Sequence, residues 1–279
     1  MSRFEIALLV LLGVIWIPGL SALAGVWSGV EYASHGFLVP FVALWAATAH
    51  RQHLAAIGAR PVPGGVLWIG LSLLVYLVAL STGDASLIGL AAVATACLVV
   101  LALRGFEWVL TLRFPLAYLL FGVPLPPDWV SPVIVRLQLL MSGLAVSILQ
   151  EAGVAIHREG NVLMLPGDRN LFVAEACSGI TSLITLIPIG VFIAYFTESR
   201  LTRRLVLVAS VVPIALAGNL LRVLLTVEVA LWGDVDLATE GPLHEWAGIG
   251  TYVIGCLCLL GVGALMRRLW PDRPGEVEA

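Results

Sequence analysis

The chain has 279 residues, 60% of them hydrophobic and only 12% charged, with a mean hydropathy of +1.01. That balance excludes a soluble globular domain and is that of a polytopic membrane protein. The net charge is −3 and all fifteen basic residues are Arg, so no polyanion signal is present and no nucleic-acid partner is expected.

A crossing helix needs about 20 apolar residues. The first run, Ile6–Trp27, contains Ala22-Leu23-Ala24, which resembles a signal-peptidase site, but Glu5 offsets Arg3 and the run is long enough to cross, so it reads as a retained span. Phe37–Ala49 is short and extends back toward Tyr32. Gly64–Ser81, Ser86–Leu103 and Phe106–Val123 follow. After the break Pro124-Leu125-Pro126-Pro127 comes Val130–Glu151, helical in pattern but carrying Arg136, Gln138, Ser142 and Gln150. It reads as an outer interfacial or re-entrant helix. Gly160–Leu165 and Leu171–Ala174 flank the turn-rich stretch Pro166–Asn170 and predict a β-hairpin. The runs Ile180–Phe196, Leu205–Leu231 and Trp246–Leu265 complete the set.

The expected fold is therefore an all-α polytopic membrane protein with about eight transmembrane helices, an outer interfacial helix and a short β-hairpin. Residues 1–270 read as a single integral membrane domain, with the interfacial helix and hairpin inside 130–176. Residues 271–279 read as a disordered cytoplasmic tail. With the N-terminus inside, eleven of the fifteen arginines fall in inner segments: 3, 51, 60, 104, 113, 200, 203, 204, 267, 268 and 273. Only Arg136, Arg158 and Arg169 fall in outer ones, which fixes the expected orientation. Both termini are then cytoplasmic, in the plasma (inner) membrane, and the loop ahead of residue 180 is on the outer face. Counting Val130–Glu151 as a further crossing would reverse the agreement for every later segment.

Cys177 closes a polar stretch and opens an apolar run, so its thiol sits at a helix N-terminus, where the partial positive charge favours thiolate. The other cysteines, 97, 256 and 258, lie within apolar runs and behave as small hydrophobes; no metal spacing, disulfide framework or cofactor motif is visible. Arg222 lies inside an apolar run, where a charge near the centre costs roughly 2.5–3.5 kcal/mol, so it needs a partner or a function. Asn219, Arg222 and Thr226 share one helix face. Arg222 is about 13 Å from Leu231 along the axis and can snorkel outward; the structural alternative is pairing with Glu228 or backbone carbonyls. His244 follows Gly241-Pro242, which places it at the outer start of the last span. That end favours neutral imidazole, able to accept a thiol proton. Glu175, two residues before Cys177, and His35, at the outer start of the second span, are candidate supporting groups. His50, His53 and His157 fit solvated surface positions.

Three classes of function remain open on these residues: an enzyme built on Cys177, Arg222 and His244; a transporter or channel, since intramembrane polar groups also mark conduction paths; and a non-catalytic membrane scaffold for surface assembly. The segment Ala174-Glu175-Ala176-Cys177-Ser178-Gly179-Ile180, followed by Asn219-Leu220-Leu221-Arg222 and His244, resembles the exosortase/archaeosortase family. Tyr32–Pro40, Phe114–Phe121 and Arg158-Glu159-Gly160-Asn161 are similar as well, so the resemblance covers nearly the whole chain in order. It implies a membrane cysteine protease or transpeptidase acting on secreted proteins with a carboxy-terminal sorting signal, a short motif, often Pro-Glu-Pro, then a hydrophobic helix and a basic tail. Cys177 would be the nucleophile, with Arg222 and His244 its partners, and water, an amine or a glycan the acceptor. Membrane lipid and the sorting-signal helix are the implied partners. The chain departs from the family pattern at Thr181, where many members carry Arg.

Overall fold

The computed structural model describes residues 2–167, 169–172, 179–232, 235 and 242–271, the side chains of residues 242–245 excepted. Met1–Pro126 and Pro127–Ala279 form two compact units. Among the described residues, seven helices are long and apolar enough to cross a membrane, and counting a pair bent by 60°, residues 31–48 with 51–57, as one span gives eight. The helical membrane architecture expected from the run lengths is the one observed.

The first unit is built from α1 (Arg3–Gly29), a 3-10 turn (Glu31–Phe37), α2 (Val39–Thr48), α3 (Arg51–Ile57), α4 (Gly65–Thr82), α5 (Ala85–Arg104), α6 (Phe106–Thr111) and α7 (Arg113–Tyr118). Ser2 and Glu5 form a reciprocal capping box at the start of α1. Glu5 also accepts from Arg104 at 2.9 and 3.3 Å, which ties the start of α1 to the end of α5. Pro18 withdraws one donor from the α1 ladder. Beside it the Tyr76 hydroxyl enters the helix, accepting from Gly19 N–H at 3.0 Å and donating to Ile15 C=O at 3.1 Å. The Tyr76 ring stacks on Trp16 with centroids 4.0 Å apart. Residue 19 must be glycine here, because a Cβ would lie 2.7 Å from the ring. The α4–α5 hairpin turns at Gly83, in the left-handed region, and Asp84 caps α5 by accepting from Ser86 N–H and Leu87 N–H. A buried Thr95–Ser72 hydrogen bond of 3.2 Å joins the two helices. Leu67, Trp68, Leu71, Leu74, Val75 and Val78 of α4 are all exposed, an arrangement that only lipid makes favourable.

The run Phe106–Val123 is not the single span its composition suggests. It divides into α6, α7 and a 3-10 turn, Leu119–Gly122. Pro115 cannot donate to the carbonyl of Thr111, where α6 ends. The broken segment nevertheless travels the length of α5 in reverse. At its start Trp108 Nε1 donates to Gly58 O at 2.6 Å and Arg60 pairs with Glu107; at its end Val123 packs against Gly89 and Gly122 O accepts from Trp27 Nε1 at 3.0 Å.

The second unit contains α8 (Pro127–Glu151), strands β1 (His157–Glu159), β2 (Val162–Leu165) and β3 (Arg169–Phe172), and helices α9 (Ile180–Thr197), α10 (Leu201–Trp232) and α11 (Pro242–Leu269). The sheet is antiparallel in the order β1-β2-β3. Pairing of Glu159 with Val162 leaves a two-residue turn, Gly160-Asn161, and Gly160 supplies its φ of 60°. The predicted hairpin corresponds to β2–β3, although β3 starts at Arg169 within the stretch read as turn; β1 was not anticipated. Asp168, Val173 and Ala174 lie outside the described residues. Leu163, Leu165 and Leu171 pack with Ile156 against Ala145, Val146 and Leu149 of α8 and Val223, Val227 and Ala230 of α10. Arg158 donates to Leu139 O of α8 at 3.1 Å, and Arg169 to Ala230 O near the end of α10 at 2.7 Å.

By length and composition α8 qualifies as a span, with a mean hydropathy of 1.8 over its best window, the lowest of the seven. Its core contacts with α10 are confined to the last third of that helix. Helices α9, α10 and α11 meet through Leu186, Val211, Ala215 and Leu259. Small residues permit the approach: a Cβ on Gly190 would lie 2.5 Å from Val211, and one on Gly255 would lie 3.0 Å from Leu186. At one end of this bundle Glu198 is wholly buried and holds the helices together. Its carboxylate accepts from Arg203 of α10 at 3.4 Å and from Arg267 of α11. Its backbone carbonyl accepts from Arg204 at 2.7 Å. The tail 272–279 lies outside the described residues.

Two outcomes are expected from thermal unfolding in detergent. Tyr76→Phe removes the hydroxyl bridge and lowers stability by about 1–3 kcal/mol, the range for leaving buried partners unmet; an unchanged midpoint would contradict the bridge. Glu198→Gln removes the charge that Arg203 and Arg267 pair with and costs about 3–5 kcal/mol, the range for breaking a buried pair. A neutral effect would show that the carboxylate does not join the helices.

Candidate active site

Helix α10 has 32 residues and so a length of about 48 Å, well beyond a hydrocarbon core of about 30 Å. It begins at Leu201 rather than Leu205, and this changes the reading of Arg222. Arg203 lies in the Glu198 cluster at one end, and Arg222 comes nineteen residues later, about 28 Å along the axis. The two charges are thus separated by about one hydrocarbon thickness. With Arg203 at one boundary of the apolar layer Arg222 comes at the other, whereas the shorter run Leu205–Leu231 put it nearer a span's centre. Beyond it the helix continues to Trp232, which is exposed, as is Trp246 near the start of α11. Exposed tryptophans at helix ends are a feature of the membrane interface.

Asn219 is fully buried and Arg222 is 8% exposed, on the α10 face that meets α9 and α11. Two glycines define what these side chains touch. A Cβ on Gly248 of α11 would lie 3.6 Å from Arg222 Nη2 and 3.7 Å from Cζ, so the guanidinium rests directly on that helix. Gly248 is four residues after His244, hence on the same face of α11 and one turn along it. A Cβ on Gly179 would lie 3.2 Å from the Asn219 side-chain amide. Gly179 is the N-cap of α9, with φ of 83°, and comes two residues after Cys177. Thr226, the third member of the stripe, donates to Arg222 O at 2.9 Å. Glu228, the alternative partner for Arg222, is exposed and accepts from Trp232 Nε1.

Of the residues singled out by sequence, the structure thus brings Asn219 and Arg222 against the starts of α9 and α11. Cys177 and Glu175 lie outside the described residues. His244 is the third residue of α11, as the Gly241-Pro242 signal predicted, and its side chain lies outside them. His35 belongs to the first unit, where Nδ1 is 3.1 Å from Tyr32 O and Nε2 is 2.9 Å from Phe121 O. Both ring nitrogens face backbone carbonyls, which is the behaviour of a clasp between the 3-10 turn and the segment after α7. Gly248 escaped the reading of charged and nucleophilic side chains, and Gly179 was legible only as a residue that suits a helix entry. The only signal for Gly248 was a small residue one helical turn beyond a reactive one.

Gly179→Ala is expected to destabilise the protein by at least about 1–2 kcal/mol, the cost of a left-handed conformation for an L-residue, before any contact with Asn219 is added. Thermal unfolding in detergent measures it. A variant as stable as the parent would show that α9 does not start as described.

The comparisons follow this geometry. A family described as transmembrane exosortase matches residues 27–261. No curated protein and no solved structure matches the chain significantly. The match runs from the last turn of α1 into the second half of α11 and takes in both units, the sheet and the Asn219–Arg222 face; the chain is an integral membrane protein that belongs to the transmembrane exosortase family.

Proposed function

We propose that the protein is a cysteine protease or transpeptidase that cleaves carboxy-terminal sorting signals, with Cys177 as nucleophile, His244 as acid–base and Arg222 as fixed positive charge. One observation carries the reading. The α10 face bearing Asn219 and Arg222 touches α9 two residues after Cys177 and α11 one turn after His244. Three distant stretches of chain are thereby drawn to one place, the arrangement that nucleophile, base and charge require.

With α8 lying at the outer interface and not crossing, the arginine bias sets the proposed orientation: both termini in the cytoplasm, the Glu198–Arg203–Arg267 cluster at the inner face, and the heads of α9 and α11 at the outer, periplasmic face of the plasma membrane. The substrate is a secreted protein whose hydrophobic signal helix inserts beside the enzyme. Insertion supplies the proximity term by holding the scissile peptide at the depth of the thiol. His244 takes the Cys177 proton; the thiolate adds to the scissile carbonyl, forming an S–C bond. The C–N bond then breaks, His244 returns the proton to the leaving amine, and an acyl-enzyme remains. Water resolves it in proteolysis, and an amine or glycan acceptor in transpeptidation. The Arg222 guanidinium offsets the negative charge that develops in a water-poor layer. Glu175 is placed by sequence to orient His244 or to meet Arg222.

The test is co-expression with a secreted protein carrying motif, helix and basic tail. The intact enzyme shortens the substrate and Cys177→Ala does not. Arg222→Ala and His244→Ala lower turnover at least about 10²-fold while the protein stays folded in the membrane. Processing that survives Cys177→Ala would remove the thiol from the mechanism, and full activity of either other variant would remove that residue.

A further inference from the structure

The head of α9 contains a buried hydroxyl with nothing to bond. Thr181 is 5% exposed, and among the described residues its Oγ1 has no hydrogen-bond partner. A helical threonine usually settles this by donating to the carbonyl four residues back. Thr185 does so to Thr181 O at 2.7 Å, Thr197 to Ile193 O at 2.8 Å and Thr251 to Ala247 O at 2.8 Å. Thr181 is the second residue of α9, ahead of the first complete turn, and so has no helical carbonyl four residues back. Burying a polar atom unmet is unfavourable, and valine has the same shape without the cost, so the hydroxyl calls for a partner that arrives from elsewhere.

A second, independent feature lies at the same point. Helix α9 has 18 residues and starts at Gly179, which has no side chain to cap it. The first N–H bonded into the helix is that of Leu183, to Gly179 O at 2.9 Å. The N–H groups of Thr181 and Ser182 precede it, at the positive end of the helix dipole. Helical side chains lean back over the turn N-terminal to their own Cα, so the Thr181 hydroxyl lies toward this same end. The chain there is two residues from Cys177.

We propose that the Thr181 hydroxyl, with the N–H groups at the head of α9, binds the carbonyl oxygen of the scissile peptide and stabilises the oxyanion formed on it. This rests on Cys177 being the nucleophile. As the thiolate sulfur bonds to the carbonyl carbon, the π pair moves to oxygen, which becomes O⁻ and accepts from the Thr181 O–H. When the C–N bond breaks the pair returns to C=O and the amine leaves with the proton from His244; Thr181 loses no proton. Arg222 contributes charge from α10, and Thr181 contributes a directed donor from the helix that starts at the nucleophile.

The test compares Thr181→Val, Thr181→Ser and Cys177→Ala in reconstituted vesicles with a sorting-signal substrate, reading kcat, KM, alkylation of Cys177 by iodoacetamide and thermal stability. Thr181→Val is expected to lower kcat about 10²-fold, the effect of removing one oxyanion donor. KM and alkylation should be unchanged and stability equal or higher, since the unmet hydroxyl is gone. Thr181→Ser should restore most of kcat. Should Thr181→Val fail to fold, Thr181→Ser against Thr181→Ala makes the same comparison. A Thr181→Val enzyme with parental kcat, or one that loses kcat and alkylation together, overturns the role of the hydroxyl while leaving Cys177 as nucleophile. Processing that survives Cys177→Ala overturns the enzymatic reading itself, and this proposal with it.

Discussion

A hydrocarbon layer does not tolerate an uncompensated charge, and α10 carries arginines that satisfy this constraint by their spacing. Arg203 and Arg222 are about 28 Å apart along one helix, close to one hydrocarbon thickness. Between Arg204 and Asn219 the helix is apolar apart from Ser210, and the two ends hold their arginines differently. At the Arg203 end a buried carboxylate, Glu198, gathers arginines from α10 and α11. At the Arg222 end the guanidinium lies against the backbone of α11 at Gly248. The first arrangement is closed and fastens three helices. The second is built where α9 and α11 begin, and it is this end that carries the proposed chemistry.

Helix association in lipid lacks the hydrophobic driving force available in water, so close backbone approach does much of the work. Gly190, Gly255 and Gly218 let the bundle close at Val211, Leu186 and Thr251. Gly179 and Gly248 extend the same device to the reactive end, where they admit Asn219 and Arg222. Packing and the proposed site therefore share one mechanism: the contacts that fix the helices also set how closely the heads of α9 and α11 approach α10. The three-stranded sheet adds a second restraint. Its Leu163 and Leu171 bury against Val223 and Val227, and Arg169 bonds to Ala230, so the strand leading toward Cys177 is fastened to the same length of α10.

Much of the fold was legible because the signals were long or local. Apolar runs of about 20 residues marked the spans, and Pro127 and Pro242 marked helix starts through local backbone chemistry. The failures have physical causes. Phe106–Val123 has the composition of a span, but composition does not register that Pro115 breaks the ladder at Thr111. Strand β1 is only three residues long and exposed, so it has no hydrophobic alternation; its one signal was the two-residue turn Gly160-Asn161. The depth of Arg222 depended on where α10 starts, and that was hidden because Thr202, Arg203 and Arg204 look like a loop until Glu198 and Arg267 are brought beside them. Partnership between residues 198 and 267 is a tertiary fact that no window of sequence contains. The face shared by Asn219 and Arg222 was legible from helical spacing alone; that two glycines receive them was not.

The central claim is that the head of α11 lies within reach of the thiol ahead of α9. Bridging of Cys177 to a second thiol by dibromobimane tests it most directly, using His244→Cys in a chain whose Cys97, Cys256 and Cys258 are replaced by Ser, with Leu265→Cys at the far end of α11 as control. Rapid bridging of 177 to 244 and none of 177 to 265 is the predicted result. Failure to bridge 177 to 244, with each thiol still open to single alkylation, would place the nucleophile and the histidine apart and contradict the site.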